Sequence, residues 1–334
     1  MMRRDGLIGV IGVVLLLAAC TGTAAQGPLP PSGHASAPPA AALTMVTAPS
    51  VVTDYSRRNN AVLATLTTTY SEHAWDAVDD GPLLDADRFD SAVSQAVSGH
   101  STPLTLTFTA TATWANGFTS YPIWAIVRTS VVAEPPQGSG GPDDYLLVVR
   151  RDSATARWRD EMIVRVEVVP NDSDDRPGTT TPADVARAQE TRLAIARYLE
   201  TGDTPDVYVT PYLSAVRTQF SEPQSGERAR SATCRAYPAA APGDALPQTL
   251  RVVRSPSGVL ALMTLRCVET RVAVADGTVR RPAGYAAALG VADAPAATLT
   301  QDFEVTLAVS RPTRGRAIVV GTTVSPVRPV RPPA

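Results

Sequence analysis

The stretch PLTLTFTATATWANG, residues 103–117, alternates strictly. Leu104, Leu106, Phe108, Ala110, Ala112 and Trp114 take every second place, and five threonines fill the gaps. Consecutive side chains of a strand point to opposite faces. The pattern therefore predicts a strand with one buried face and one hydroxyl-rich face toward water. Its surroundings set the fold class. Upstream, Tyr55, Asn59, Val62, Leu63, Leu66 and Tyr70 recur at three- and four-residue spacing. They predict a helix capped by Thr53 or Asp54. DDGP at 79–82 breaks it, and 83–97 reads as a second helix with Phe89, Val93 and Ala96 on one side. Downstream, PIWAIVRTSVV, DYLLVVRRD and ARWRDEMIVRVEVV supply three further antiparallel strands.

After the polar, turn-rich NDSDDRPGTT at 171–180, the order of elements repeats. Thr181 and Pro182 open a helix lined by Val185, Leu193, Ala196 and Leu199 and closed by Gly202. VYVTPYLSAVRTQF follows, then strands near 229–237, 248–254, 259–274, 298–309 and 316–323. RFDSAVSQAV and PYLSAVRTQF echo each other, but the repeated order is the stronger sign of duplication. The expected class is α+β: two tandem cone-like domains, each a helix pair followed by a curved antiparallel sheet. A two-sheet sandwich is the alternative.

The amino terminus decides where this body sits. Arg3 and Arg4 precede an apolar run from Leu7 to Leu17, which is short of the roughly 20 residues a membrane span needs. A charged start, a short apolar centre and small residues after it make a secretory signal. The end, Leu17-Ala18-Ala19-Cys20, resembles the lipobox of bacterial lipoproteins. That resemblance implies cleavage between Ala19 and Cys20, with a diacylglyceryl group on the Cys20 thiol and a further acyl chain such as palmitate on its amine. More than one chain is needed for stable anchoring. An ordinary signal with an incidental Cys is the alternative. The Arg pair is also a partial match to twin-arginine export, with Gly6 where an apolar residue is usual.

The divisions expected are a signal at 1–19, a lipidated Cys20 with a Pro/Ala-rich tether to residue 50, a first domain at 51–170 and a linker at 171–181. A second domain at 182–325 and a Pro/Arg tail at 326–334 complete the chain. Two helices and a curved sheet in this order resemble the cystatin/NTF2-like cones. Tandem cones behind a lipobox are similar to actinobacterial cell-envelope lipoproteins. The likeness is architectural, over 50–325, and transfers no site residue.

Composition narrows the chemistry. All 30 basic residues are Arg, which removes Schiff-base and P-loop lysine chemistry. Net charge is −2 with no long block of one sign, so no nucleic-acid partner is expected. Cys234 and Cys267 form an even pair in an exported chain, for which a disulfide is the simple solution and two buried free thiols the alternative. EHAWD at 72–76 is the densest polar cluster. His73 and Asp76 would share a helix face and could begin a metal site with Glu72 or Asp80, but such a run is more often the solvated end of a helix with a Trp tucked in. No cofactor motif occurs.

These readings converge on a lipid-anchored protein on the outer face of the cytoplasmic membrane. Its expected role is non-enzymatic binding of an envelope protein or a small ligand. The alternative is an enzyme with an Asp/Tyr acid/base pair inside a cone. A buried carboxylate facing the first domain's interior would favour catalysis; a filling of Val, Leu and Phe would favour binding.

Overall fold

The structure is a computed structural model. It describes residues 43–329 apart from 45, 69, 99–103, 116–117, 119, 137–141, 167–178, 204–205, 237–248 and 256. Helix α1, Ala48–Thr65, starts five residues ahead of Thr53. Pro49 in its first turn fits a helix start. Ala48 and Val52 are fully buried, so burial of this apolar turn extends the helix beyond the expected cap. A single 3-10 turn, Ala74–Ala77, and helix α2, Gly81–Ser98, follow. Then β1 (Thr105–Ala115), β2 (Ile123–Glu134), β3 (Asp143–Arg151) and β4 (Arg159–Arg165) form an antiparallel meander in sequence order.

The alternation in β1 is broken by a bulge between Ala110 and Ala112. An inserted residue moves everything after it to the other face. Leu106, Phe108 and Ala110 pack toward α1, whereas Ala112 and Trp114 point to the opposite side of the sheet. Thr105, Thr107, Thr109 and Thr111 remain exposed, but Thr113 is buried. β1 is an edge strand, and α1 satisfies its outward backbone. Asn60 Oδ1 accepts from Leu106 N–H at 2.8 Å, and Asn60 Nδ2 and Ser56 Oγ donate to Leu106 C=O at 2.8 and 2.7 Å. An edge covered in this way offers no template for further pairing.

Helix α3, Pro182–Thr201, opens with a reciprocal capping box between Thr181 and Asp184 and closes on Gly202 at φ 84°. Its inner face is Ala188, Arg192, Ile195, Ala196 and Leu199. Leu193, expected among them, is 53% exposed, because the row that packs runs through Arg192. Next come β5 (Val207–Tyr208), α4 (Pro211–Ser221), β6 (Glu227–Ala236), β7 (Leu250–Ser255), β8 (Gly258–Ala273), the short α5 (Tyr285–Leu289), β9 (Thr298–Pro312) and β10 (Ala317–Val327). The second sheet runs β5-β10-β9-β8-β6, with β7 beside the start of β8 and β6 beside its end. All its pairings are antiparallel except β5 with β10. Glu200 of α3 accepts the N–H of Cys234 on edge strand β6 at 2.6 Å, as Asn60 serves β1 in the first half.

The molecule is α+β, and helices lead into an antiparallel sheet in both halves. It also contains the sandwich that was the alternative. Trp114, Trp124, Ile126, Leu146, Val148, Met162 and Val164 of the first sheet share one core with Val253, Leu260, Leu262, Ala308 and Val320 of the second. Helix α1 covers the outer face of one sheet, and α3 and α4 cover the outer face of the other. The last strands of the two sheets meet at an isolated bridge, Val166 with Gly321. A Cβ on Gly321 would lie 2.4 Å from the Arg165 carbonyl oxygen, so only glycine permits this approach.

Helix α2 does not lie beside α1 over the first sheet. Phe89, Ala92 and Val93 pack on Ala288 of α5, with Phe89 edge-on to Tyr285 at 5.3 Å; Ala96 is exposed. It also contacts the 3-10 turn, β4 and β10, so it spans both halves. β10 continues through Pro326 to the fully buried Val327, taking the start of the expected tail into the sheet. No helix among the described residues is long and apolar enough to cross a membrane.

Candidate functional sites

Ala19 and Cys20 lie outside the described residues. Cys234 and Cys267 face each other across β6 and β8 and form a disulfide, with Cα atoms 4.1 Å apart. His73 and Asp76 are brought together, His73 Nδ1 lying 3.3 Å from Asp76 Oδ2, but both are exposed. Asp76 also accepts from Arg88 at 2.6 Å, and Glu72 pairs with Arg328 at 2.6 Å. Each carboxylate thus has an arginine partner. No group of three His, Cys, Asp or Glu suited to a metal occurs among the described residues.

Two further constellations emerge. The first is acidic and sealed. Asp79 follows the 3-10 turn and forms a parallel bridge with Asp160 of β4: Asp160 N–H donates to Val78 C=O at 3.2 Å, and Asp80 N–H donates to Asp160 C=O at 2.8 Å. Both side chains are fully buried, Asp79 against the side chains of Tyr55 and Asp87 and Asp160 against the backbone of Glu161 and Met162. Tyr55 of α1 and the half-buried Asp87 and Asp90 of α2 complete the group. Arg58 is buried close by, but it donates to the carbonyls of Ala77 and Trp158 at 2.8 and 2.5 Å and to Asp54.

Burial disfavours the charged form of a carboxyl, and a neighbouring carboxylate adds to the effect. Burial and Asp160 hold Asp79 well above its ordinary range. Burial, with Asp79, does the same to Asp87. Burial, with Glu161 and Asp87 behind it, raises Asp160. Burial and Asp87 push Asp90 to about 8, and burial with the surrounding aspartates raises Tyr55. Each shift favours the protonated form, which can donate a proton. The sequence carried one sign of this: RDEMIVRV places two acids inside an apolar strand. Neighbours in a strand diverge, so Asp160 turns toward α1 and α2, while Glu161 turns to the second sheet and Arg251.

The second constellation is open. A cavity of about 410 Å³ lies between α3 and the second sheet. Asp184, Arg187 and Thr191 of α3, Arg254 of β7 and Arg311 of β9 form its polar wall. Ala261, Met263 and Val309, all buried, form its floor. Arg254 grips Asp184 through Nη2 at 2.7 Å and Nε at 3.2 Å, and Asp184 also accepts from Thr181 N–H and Oγ1. Those bonds keep Asp184 below the ordinary carboxylate range despite its burial. Arg311 donates to Thr191 Oγ1 at 3.1 Å and to the exposed Asp206 at 3.2 Å. The polar wall comes from three separate segments, Arg254 lying 70 residues from Asp184 and Arg311 120 from Thr191, and no local pattern announces it. Arg192, one turn along α3, is buried and donates to Thr249 and to the Thr264 carbonyl; burial lowers it to about 10.

A comparison with protein-family models gives no match, and neither does a comparison with curated protein sequences.

Proposed function

We propose that this chain is an extracytoplasmic lipoprotein, held to the outer face of the cytoplasmic membrane through Cys20, whose folded body binds a ligand and carries out no catalysis. The lipobox-like Leu17-Ala18-Ala19-Cys20 supports the anchor, and a disulfide fits an oxidising compartment. The observation that carries the binding reading is the cavity between α3 and the second sheet. Its volume of about 410 Å³, the apolar side chains of Val259 and Pro312 and its convergent polar groups suit a small-molecule site. Anchoring is tested by Cys20→Ala: unprocessed precursor should accumulate, and normal cleavage would defeat the reading. Binding is tested by heating the mature lipoprotein with small-molecule extracts of the envelope. A ligand should raise the melting temperature, and Val259→Phe, which fills the cavity mouth, should remove the rise.

Acid/base catalysis is the second reading, and the buried group of Tyr55, Asp79, Asp87 and Asp160 favours it. A catalytic acid must come within hydrogen-bond reach of its substrate, whereas Asp79 and Asp160 have no exposed surface. Catalysis would therefore require α2 to open. Carbodiimide labelling of native protein at neutral pH distinguishes the two: protected aspartates support a structural role, and modification of Asp79 or Asp160 supports catalysis.

A further inference from the structure

The cavity beside α3 has a polarity that names its ligand. Three arginines line it against one aspartate. Asp184 is fully committed, to Arg254 and to the cap of α3. Arg254 is thereby neutralised in place, because a bidentate carboxylate satisfies its fork. Arg311 is different. Its partner Asp206 is 71% exposed, and an exposed pair contributes little and gives way to a competing anion. Arg187 stands on the exposed flank of α3 with no ion pair among the described residues. The open side of the cavity thus carries Arg187, which has no ion pair among the described residues, and Arg311, whose one carboxylate partner is exposed. Beside them the half-buried Val259 and Pro312 supply apolar surface.

We infer that this cavity binds a small organic anion: an apolar body against the half-buried Val259 and Pro312, with one carboxylate-like head between Arg187 and Arg311. The inference deepens the binding function proposed above and rests on it. An inorganic anion would leave Val259 and Pro312 without a partner, and a neutral apolar molecule would leave the arginines unanswered. Binding replaces the exposed Asp206 at Arg311 with a partner that is drier and held from both sides, where charge-assisted hydrogen bonds are stronger.

The experiment uses the full mature lipoprotein in lipid nanodiscs, with empty nanodiscs as reference. Benzoate is titrated by calorimetry beside benzyl alcohol and benzylammonium, its neutral and cationic counterparts. Benzoate should bind at least tenfold more tightly than either, and its affinity should fall as salt is raised. Arg187→Gln should weaken benzoate by about tenfold, corresponding to one charge-assisted contact, while leaving benzyl alcohol unchanged. Arg311→Gln should do the same and serves as the second variant. Benzyl alcohol or benzylammonium binding as tightly as benzoate would overturn the anion inference and leave the binding function standing. Failure of all three probes to bind would overturn the anion inference, whereas the binding function falls only if envelope extracts give no melting shift. Benzoate binding unaffected by either arginine variant would place the anion elsewhere and refute the assignment to this cavity.

Discussion

Glu161 and Arg251 join the two sheets through the interior of the molecule. Arg251 Nε and Nη2 each donate to a Glu161 oxygen at 2.7 Å, both side chains are at least 95% buried, and the guanidinium lies over the Trp124 ring at 5.4 Å. Arg150 adds a contact to Glu161 at 3.1 Å. A pair this dry is costly to break from one side, because the survivor keeps its charge without its partner. Arg251→Met or Glu161→Gln alone should therefore lose about 3–5 kcal/mol in urea unfolding. The double variant should recover part of that loss. Additive losses would show that the two residues do not act as a pair.

The acid cluster makes stability fall as pH rises. Asp79, Asp87 and Asp160 hold their protons in the folded chain well above the roughly 3.9 of an unfolded aspartate, and Asp90 does so to about 8. A group raised in the folded state contributes fully below its unfolded pKa, and that contribution is lost as pH rises toward and through its folded pKa. Each proton so retained steepens the fall by about 1.4 kcal/mol per pH unit. Urea midpoints should therefore decline from about pH 4 through pH 8. Asp79→Asn should flatten the whole decline, and Asp90→Asn the part nearest pH 8. The lowered carboxylates Asp54, Glu72, Asp184 and Glu227 act only at the acid end and do not mask this window. A flat wild-type profile between pH 4 and 8 would contradict the assignment.

Gly321 tests the contact between the final strands. A methyl there meets the Arg165 carbonyl oxygen at 2.4 Å and Val166 Cγ1 at 2.6 Å. Backbone cannot swing aside as a side-chain tip can, so Gly321→Ala should cost about 1–3 kcal/mol, the range for overpacking. Gly290→Ala meets nothing within 4 Å and isolates the cost of a positive φ from that of a clash. Equal losses at both positions would refute the steric account.

The disulfide closes a loop across a sequence separation of 33. Replacing Cys234 and Cys267 by alanine should lower stability by about 3–4 kcal/mol on the chain-entropy account. Strand β6 should nonetheless stay paired, since Glu200 and the ladder to β8 hold it independently. The far-ultraviolet circular dichroism of the folded variant should therefore match that of the parent; a loss of strand signal would assign the bridge a larger role.

The elements were legible because each obeys a short-range rule. The Thr181-Pro182 start and the Gly202 stop of α3 appear where the residues put them. The meander of the first half follows from its alternating runs and turns. What escaped the sequence was the partner of each face. Ala112 and Trp114 read as continuing the Leu106 face, because the bulge that turns them depends on the register with β2. Leu193 and Arg192 exchange the roles that hydrophobicity assigns them, because Arg192 finds Thr249 and the Thr264 carbonyl inside. The acid cluster had a local sign in Asp160, but its other members come from α1, the 3-10 turn and α2. The arginine wall had none, for only the closed sheet brings Arg254 and Arg311 to α3.

The bridge between Val166 and Gly321 also bears on how the protein is made. A chain emerges amino terminus first, so β10 is the last strand to appear, yet it closes on β4 and buries Val327. Until residue 327 is free, the inner face of the first sheet lacks part of its cover and remains a sticky apolar surface. The two halves are therefore not assembled one after the other. The first must wait, partly clad, for the end of the second, and a truncation that removes β10 should cost the early half as well as the late one.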